Sequence, residues 1–538
     1  MRSEAITHST THGYRRLFSR RRVKLVCAVF ASLLTTAGCG SVSPSEGTAV
    51  DSTAAGEISS GETGEKDPFG MIFEGGAAWS GGKVSAGSPA GMKNTALLQP
   101  EADNYRIAFT LTAEPGLTGA VYFLAADRDN GYRLSFNTSK HKATLGQMHR
   151  GDIAGSTATA CDIKEGEPFR VTLDVGRDSV RVAFGNDPDD PDLMRFDVVR
   201  KDGAPNSVIF DCGSSGDVVF SDISLSDLPE YSGPVYENPI LDPAKESADP
   251  FILCDSGRYY LYSTSAPMEG YRVWVSDDLT HWTERGFCLV NADVYGEPTL
   301  TAGFWAPEVY AVERGGKKGY ALLYTVNERV GIAFADSPEG PFKSESDSYL
   351  VTDSRAIDPT IFTDDDGKTY LFYVGFGEKE YGIYGCEVNL DTLACGPAKQ
   401  IIKPEAKWET KESKVTEGPF MLKHEGVYYL TYSGNGYTSH YYAVGYATSD
   451  SPLGDFERCA LSPVLAQCPA NGVYGPGHHA FFYTPGGRLM IVYHRHASAT
   501  KVGPRVACID RVLFVKTGDG PDLLAIAGPT VTPQPMPD

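Results

Sequence analysis

Asp249, Asp358 and Glu417 stand at matching places in successive copies of one pattern, and carboxylates gathered in that way can do acid–base chemistry. The copies read Ala248-Asp249-Pro250-Phe251-Ile252, Ile357-Asp358-Pro359-Thr360-Ile361 and Glu417-Gly418-Pro419-Phe420-Met421. Each acid lies at, or immediately before, the Pro or Gly-Pro that punctuates its repeat. Two carboxylates facing across a pocket, one protonated and one ionised, can protonate a leaving oxygen and activate a water. Cleavage of a glycosidic bond needs that pair. A lone Asp-Pro is more often a turn or an ion pair. Three acids in register argue instead for convergence on one place.

The elements that must position them follow from the same repeat. Further copies open at Ala306-Pro307-Glu308-Val309-Tyr310 and, more loosely, at Gly477-His478-His479-Ala480-Phe481. Each copy runs through a Gly turn into a strand dense in Tyr, Leu or Val, such as Gly426-Val427-Tyr428-Tyr429-Leu430-Thr431-Tyr432. The prolines at 250, 307, 359 and 419 are 57, 52 and 60 residues apart. A unit of about 55 residues holds four short strands and their turns, and five such units closing radially make a five-bladed β-propeller. The first strand of each blade lines the central channel, so acids on several first strands meet at the axis. Alternating strand patterns and scarce helical periodicity exclude a helical solenoid.

Over residues 236 to 515 the chain resembles glycoside hydrolase family 43. The resemblance rests on Ala248-Asp249-Pro250, Trp305-Ala306-Pro307-Glu308, Ile357-Asp358-Pro359, Thr416-Glu417-Gly418-Pro419 and Gly475-Pro476-Gly477-His478, in the family's order and at blade spacing. It implies a glycosidase of the α-L-arabinofuranosidase or β-xylosidase type that inverts the anomeric centre. By the same resemblance Asp249 is the general base, Glu417 the general acid, and Asp358 a third carboxylate that orients the acid and keeps its pKa raised. Trp305, Glu308 and Arg505 are the expected substrate-binding residues; interblade core packing for Trp305, bracing of the blade for Glu308 and a surface or interblade ion pair for Arg505 stay open. His478 resembles an axial histidine, for which a calcium ion in the channel and a purely hydrogen-bonding role both stay open. No other cofactor is required. The alternative function is that of an inactive, glycan-binding surface protein.

Composition bounds the rest. With 48 Lys+Arg against 69 Asp+Glu, a net charge of −21 excludes nucleic acid as partner. An oligo- or polysaccharide remains the expected partner, and oligomeric state is open. Residues 1–39 read as an export signal: Arg15, Arg16, Arg20, Arg21, Arg22 and Lys24 precede the apolar stretch Leu25–Ala37, 13 residues that are too short to span a bilayer. Thr36-Ala37-Gly38-Cys39 resembles a bacterial lipoprotein signal, which implies lipidation of Cys39 and a membrane-anchored, exported protein; plain cleavage and release is the alternative. Residues 40–66 have the composition of a flexible tether. Residues 67–228 read as a string of short strands, a β-sandwich that is carbohydrate-binding or merely packs on the catalytic domain. Residues 229–235 form a linker, and 236–538 the propeller. Without Cys27 and Cys39 nine cysteines remain, either local pairs (Cys386 with Cys395, Cys459 with Cys468) or buried thiols.

Overall fold

The computed structural model describes residues 66–86, 94–114, 120–188, 194–213, 218–294, 303–345, 349–518 and 520–537. The export signal, Cys39 and all but the last residue of the tether lie outside these residues.

The first layered body is a sandwich of two seven-stranded antiparallel sheets. Alternation drives it. In Tyr105–Ala113 the side chains of Ile107, Phe109 and Leu111 enter the core, while Arg106, Thr110 and Thr112 point outward. Phe109, Phe210 and Phe220 meet at its centre with ring centroids 5.0–5.8 Å apart. The laminar core continues into the next body, since Ala525 packs among the buried sandwich residues. Asn471 donates from Nδ2 to Asp197 O (2.8 Å), and Gln534 donates from Nε2 to Asp197 Oδ2 (3.0 Å).

The second body is the five-bladed propeller. The innermost strands are Ala248–Asp255, Phe304–Arg314, Arg355–Thr363, Thr416–His424 and Gly477–Tyr483, and each pairs with a second strand of its own blade. They neighbour one another in that order, and the fifth closes on the first. The pairing of Val235–Tyr236 with Gln534–Pro535 ties the beginning of this region to its end. The Tyr-rich strands explain the packing: Tyr324, Tyr373, Tyr432 and Tyr493 occupy one equivalent position in blades two to five, and all are buried.

Every innermost strand breaks register at the same point. The shifts fall between Ala248 and Phe251, Trp305 and Glu308, Ile357 and Thr360, Glu417 and Phe420, and Gly477 and Ala480. One residue in each bulge adopts positive φ: Asp249 (49°), Ala306 (45°), Asp358 (54°), Gly418 (54°) and His478 (45°). A bulge re-aims side chains out of the ladder. Here it is repeated five times around one channel.

Candidate active site

The bulges leave one backbone N–H per blade without a ladder partner, and the preceding blade supplies the acceptor. Ala306 N–H donates to Thr264 Oγ1 (2.9 Å), Asp358 N–H to Thr325 Oγ1 (3.0 Å), His478 N–H to Ser433 Oγ (2.8 Å) and Asp249 N–H to His494 Nδ1 (3.1 Å). Those four acceptors share one position on the second strands. In blade three that position is Val374, which has no acceptor. The Gly418 N–H turns instead to the Asp358 carboxylate, donating to Oδ2 at 3.1 Å. One apolar residue therefore ties Asp358 to the peptide next to Glu417.

The sequence placed the three acids in one register, and the bulges refine this. Asp249 and Asp358 are bulge residues, aligned with Gly418. Glu417 lies one residue earlier, at the place held by Trp305 in blade two. The half-buried Trp305 side chain thus leaves its strand on the same side as that of Glu417.

Asp249 is buried and heavily countered. Arg505 donates from Nη1 to its Oδ1 (3.1 Å), and His478 Nδ1 lies 3.3 Å from the same oxygen. Burial alone would raise the carboxyl, but Arg505 and His478 override it and hold Asp249 well below the usual carboxylate range. His494 Nδ1 is also 3.3 Å away. One nitrogen cannot accept the Asp249 N–H and also donate to the carboxylate. The buried Asp249 N–H takes His494 Nδ1 as its acceptor. Burial pushes the pKa of His494 down to about 3, which keeps the ring neutral. Glu246 anchors Arg505 through Nε (2.9 Å) and the backbone N–H (3.0 Å), and the guanidinium lies 4.7 Å from the Tyr437 ring centroid.

Glu417 has the opposite surroundings. Burial pushes its pKa up to about 7, with Asp249 adding to the rise, while a hydrogen bond from Tyr442 opposes it. The Tyr442 hydroxyl donates to Oε1 at 2.7 Å. Burial is thus the largest cause of the raised Glu417 pKa, where sequence reasoning had invoked the charge of Asp358. Asp358 is itself pushed up, by burial first and then by Glu417 and Asp249. Two neighbouring acids that interact in this way titrate together. The Tyr381 hydroxyl stands close enough for both acids to raise its pKa further, after burial.

Glu308 is half-buried, its carboxyl taking the Tyr310 hydroxyl; Tyr310 and Thr360 hydroxyls are 2.9 Å apart. Burial raises the Glu308 pKa to about 8. His479 points between blades, its Nε2 2.7 Å from Thr431 Oγ1. Among the described residues no group of three His, Cys, Asp or Glu ligand atoms gathers at His478; one such group, His424, Glu425 and Asp522, lies elsewhere. The nine described cysteines are thiols. Cys459 Sγ accepts from the Leu461 N–H at 3.4 Å.

Sequence reasoning missed Tyr442, His494, Glu246 and Tyr381. His494 carried a signal, because it aligns with Thr264, Thr325 and Ser433. Tyr442 carried none: it precedes the third strand of blade four, Ala443–Ser449, where the repeats share no motif.

A five-bladed propeller with buried acids of divided pKa at its channel is the framework of a glycoside hydrolase. The chain belongs to glycosyl hydrolases family 43, whose model matches residues 236–519. It is 30% identical over 290 residues to a β-D-galactofuranosidase of Aspergillus niger, covering 51% of this chain and 81% of that one. It is 29% identical over 287 residues to an extracellular exo-α-(1→5)-L-arabinofuranosidase of Streptomyces chartreusis, covering 50% and 84%. A crystal structure of a thermostable family-43 glycoside hydrolase is similar at 34% identity and a TM-score of 0.51, covering 56% of this chain and 99% of that one. The alternative of an inactive glycan-binding protein finds no support.

Proposed function

We propose that this enzyme removes arabinofuranosyl or xylosyl residues from plant-type oligo- and polysaccharides, with inversion at the anomeric carbon. The opposed settings of Asp249 and Glu417 carry the reading. Asp249, ionised against Arg505, draws a proton from water. Glu417, with its pKa at about 7, delivers a proton to the leaving oxygen. Asp358 positions the acid through the Gly418 peptide. Trp305 walls the sugar pocket, and Arg505 both holds Asp249 and borders the substrate. A calcium ion at His478 is not needed for any of these steps. The names of the relatives support the sugar class: one is an arabinofuranosidase and others are xylosidases.

The test is hydrolysis of a natural arabino- or xylo-oligosaccharide by the wild type and by Glu417→Gln, with the product anomer followed by NMR. Activated aryl glycosides run beside it need little protonation and should lose less activity. Full activity of Glu417→Gln on the oligosaccharide refutes the assignment of the acid, and retention of configuration refutes the water-activating role of Asp249. The protein is exported and held at a membrane through lipid on Cys39. The extracellular relative supports export. Labelling with a radioactive fatty acid in wild type and Cys39→Ser tests the anchor.

A further inference from the structure

Tyr437 keeps its ring in water, 46% exposed. It stands in residues 435–442, the connection between the second and third strands of blade four, and the same connection supplies Tyr442 to Glu417. Leaving an aromatic ring in water forgoes hydrophobic stabilisation. Buried groups nevertheless hold the backbone in the shape that exposes it. Asn435, fully buried, donates from Nδ2 to Trp408 O (2.5 Å) and to Tyr441 O (3.0 Å). The Gly436 N–H donates to Ser413 Oγ (2.6 Å), and the Ser439 N–H to Gly436 O (2.8 Å). His496, also fully buried, donates from Nε2 to the Tyr437 carbonyl (2.7 Å). The His496 ring fits because position 475 is glycine: a Cβ there would come within 2.3 Å of it.

The exposed ring stands beside the reaction. Its centroid lies 4.7 Å from the Arg505 guanidinium, and Arg505 Nη1 donates to Asp249 Oδ1 (3.1 Å). One guanidinium group thus separates the ring from Asp249, a span comparable to that of a sugar ring. Asp249 and Asp358 are buried, so the sugar whose bond breaks sits inside the channel. The sugar that carries the leaving oxygen follows it at the mouth, where Tyr437 stands. A pyranose there has apolar C–H faces and polar edges. The aromatic face can take the first while water satisfies the second.

Resting on the roles given above to Asp249 and Glu417, we propose that the Tyr437 ring is the platform for the leaving-group sugar, a pyranose packed by its C–H face. Two substrates with the same reacting sugar separate this contact from the chemistry. One is a xylo-oligosaccharide, plain or arabinosylated, whose leaving group is a xylopyranose. The other is the matching xylosyl or arabinofuranosyl fluoride, whose leaving group is a single atom. Binding energy from the remote sugar is spent at the reacting centre, so its loss shows in kcat/KM. On the full chain, Tyr437→Ala should lower the ratio of oligosaccharide to fluoride kcat/KM roughly tenfold. Tyr437→Phe, which keeps the ring, should keep the wild-type ratio. An unchanged ratio in Tyr437→Ala overturns the proposal, including equal losses on both substrates, which would mean that Tyr437 acts through Arg505. A ratio that falls as far in Tyr437→Phe also overturns it, since the hydroxyl then makes the contact. Glu417→Gln is run on the same pair. Its full activity on the oligosaccharide would refute the acid on which the proposal rests, a failure visible whatever Tyr437→Ala does.

Discussion

Tyr442→Phe should move the alkaline limb of activity without moving the acid limb. The hydroxyl of Tyr442 donates to Glu417 Oε1 at 2.7 Å, and its ring stacks on His494 with centroids 5.7 Å apart. Phenylalanine keeps the stacking and removes only the donor. A hydrogen bond to a charged carboxylate is worth ~1.5–3 kcal/mol, and one to a neutral acid ~1 kcal/mol. The difference of about 0.5–2 kcal/mol favours the ionised form. At about 1.4 kcal/mol per pKa unit, its loss raises the Glu417 pKa by roughly one unit. Glu417 starts from about 7 and acts as the protonated acid, so more of it stays competent at alkaline pH. The profile of kcat/KM against pH, measured on a natural oligosaccharide, should therefore extend upward by roughly one pH unit. Its acid limb, set by Asp249 under the control of Arg505, should stay in place. An unmoved alkaline limb, or one displaced to lower pH, refutes the role of Tyr442 as a brake on the pKa of the acid.

Three further outcomes follow from the same site. Glu417→Gln should cut oligosaccharide hydrolysis roughly 10²–10⁴-fold. It should also stabilise the fold at pH 8, by about 1–3 kcal/mol, in denaturant titrations. The folded pKa is raised from 4.5 to about 7, so the native carboxyl is penalised only once it ionises. The gain should be absent below pH 4.5, grow between 4.5 and 7, and be complete above that range; equal stability of the two proteins at pH 8 contradicts it. Arg505→Gln removes the main cation that lowers Asp249, so the acid limb of kcat/KM should shift to higher pH. Val374→Thr should give the Gly418 N–H the hydroxyl acceptor that Thr325 and Ser433 supply elsewhere, releasing Asp358 Oδ2. With about 1 kcal/mol of positioning lost, kcat should fall roughly fivefold while the melting temperature stays nearly constant.

The propeller was legible because its repeat is punctuated. Asp-Pro, Ala-Pro-Glu and Gly-Pro mark the bulges, and the Gly turns that follow mark the hairpins. Asp249 and Asp358 could be read for the same reason: each precedes a proline directly. Glu417 could be read only to within one residue, because the Pro-based alignment does not reveal that Gly418 is the bulge residue. The sandwich emerged from alternation alone, as in Tyr105–Ala113, where every second side chain is apolar. Arg505 was visible as a residue, but its grip on Asp249 depends on Glu246, which lies 259 residues away in the chain. Contacts of that kind leave no local trace. Tyr442 lies in the same class: its ring fits only because position 477 is glycine, a Cβ there coming within 2.3 Å of it, and that contact is visible only in the fold.

The five bulges have one geometry and three chemistries, and the difference lies in what the preceding blade presents. Four of the five bulge residues are not glycine, and each holds a positive φ that costs ~1–3 kcal/mol. Such strain persists only where the surroundings impose it, and here the imposing group is identifiable in each case. His494 fixes the Asp249 peptide, leaving that carboxylate to Arg505 and keeping it ionised. Thr325 fixes Asp358, whose carboxylate then serves the neighbouring blade in place of the missing acceptor at Val374. Gly418 alone is free of side-chain strain, and a Cβ there would press on the His478 ring at 3.3 Å. The residue before it, Glu417, is therefore carried on the bulge with the least conformational cost, and it feels less positive charge than Asp249 does. That is the setting in which burial can raise a carboxyl to near neutrality while the partner acid across the channel stays charged.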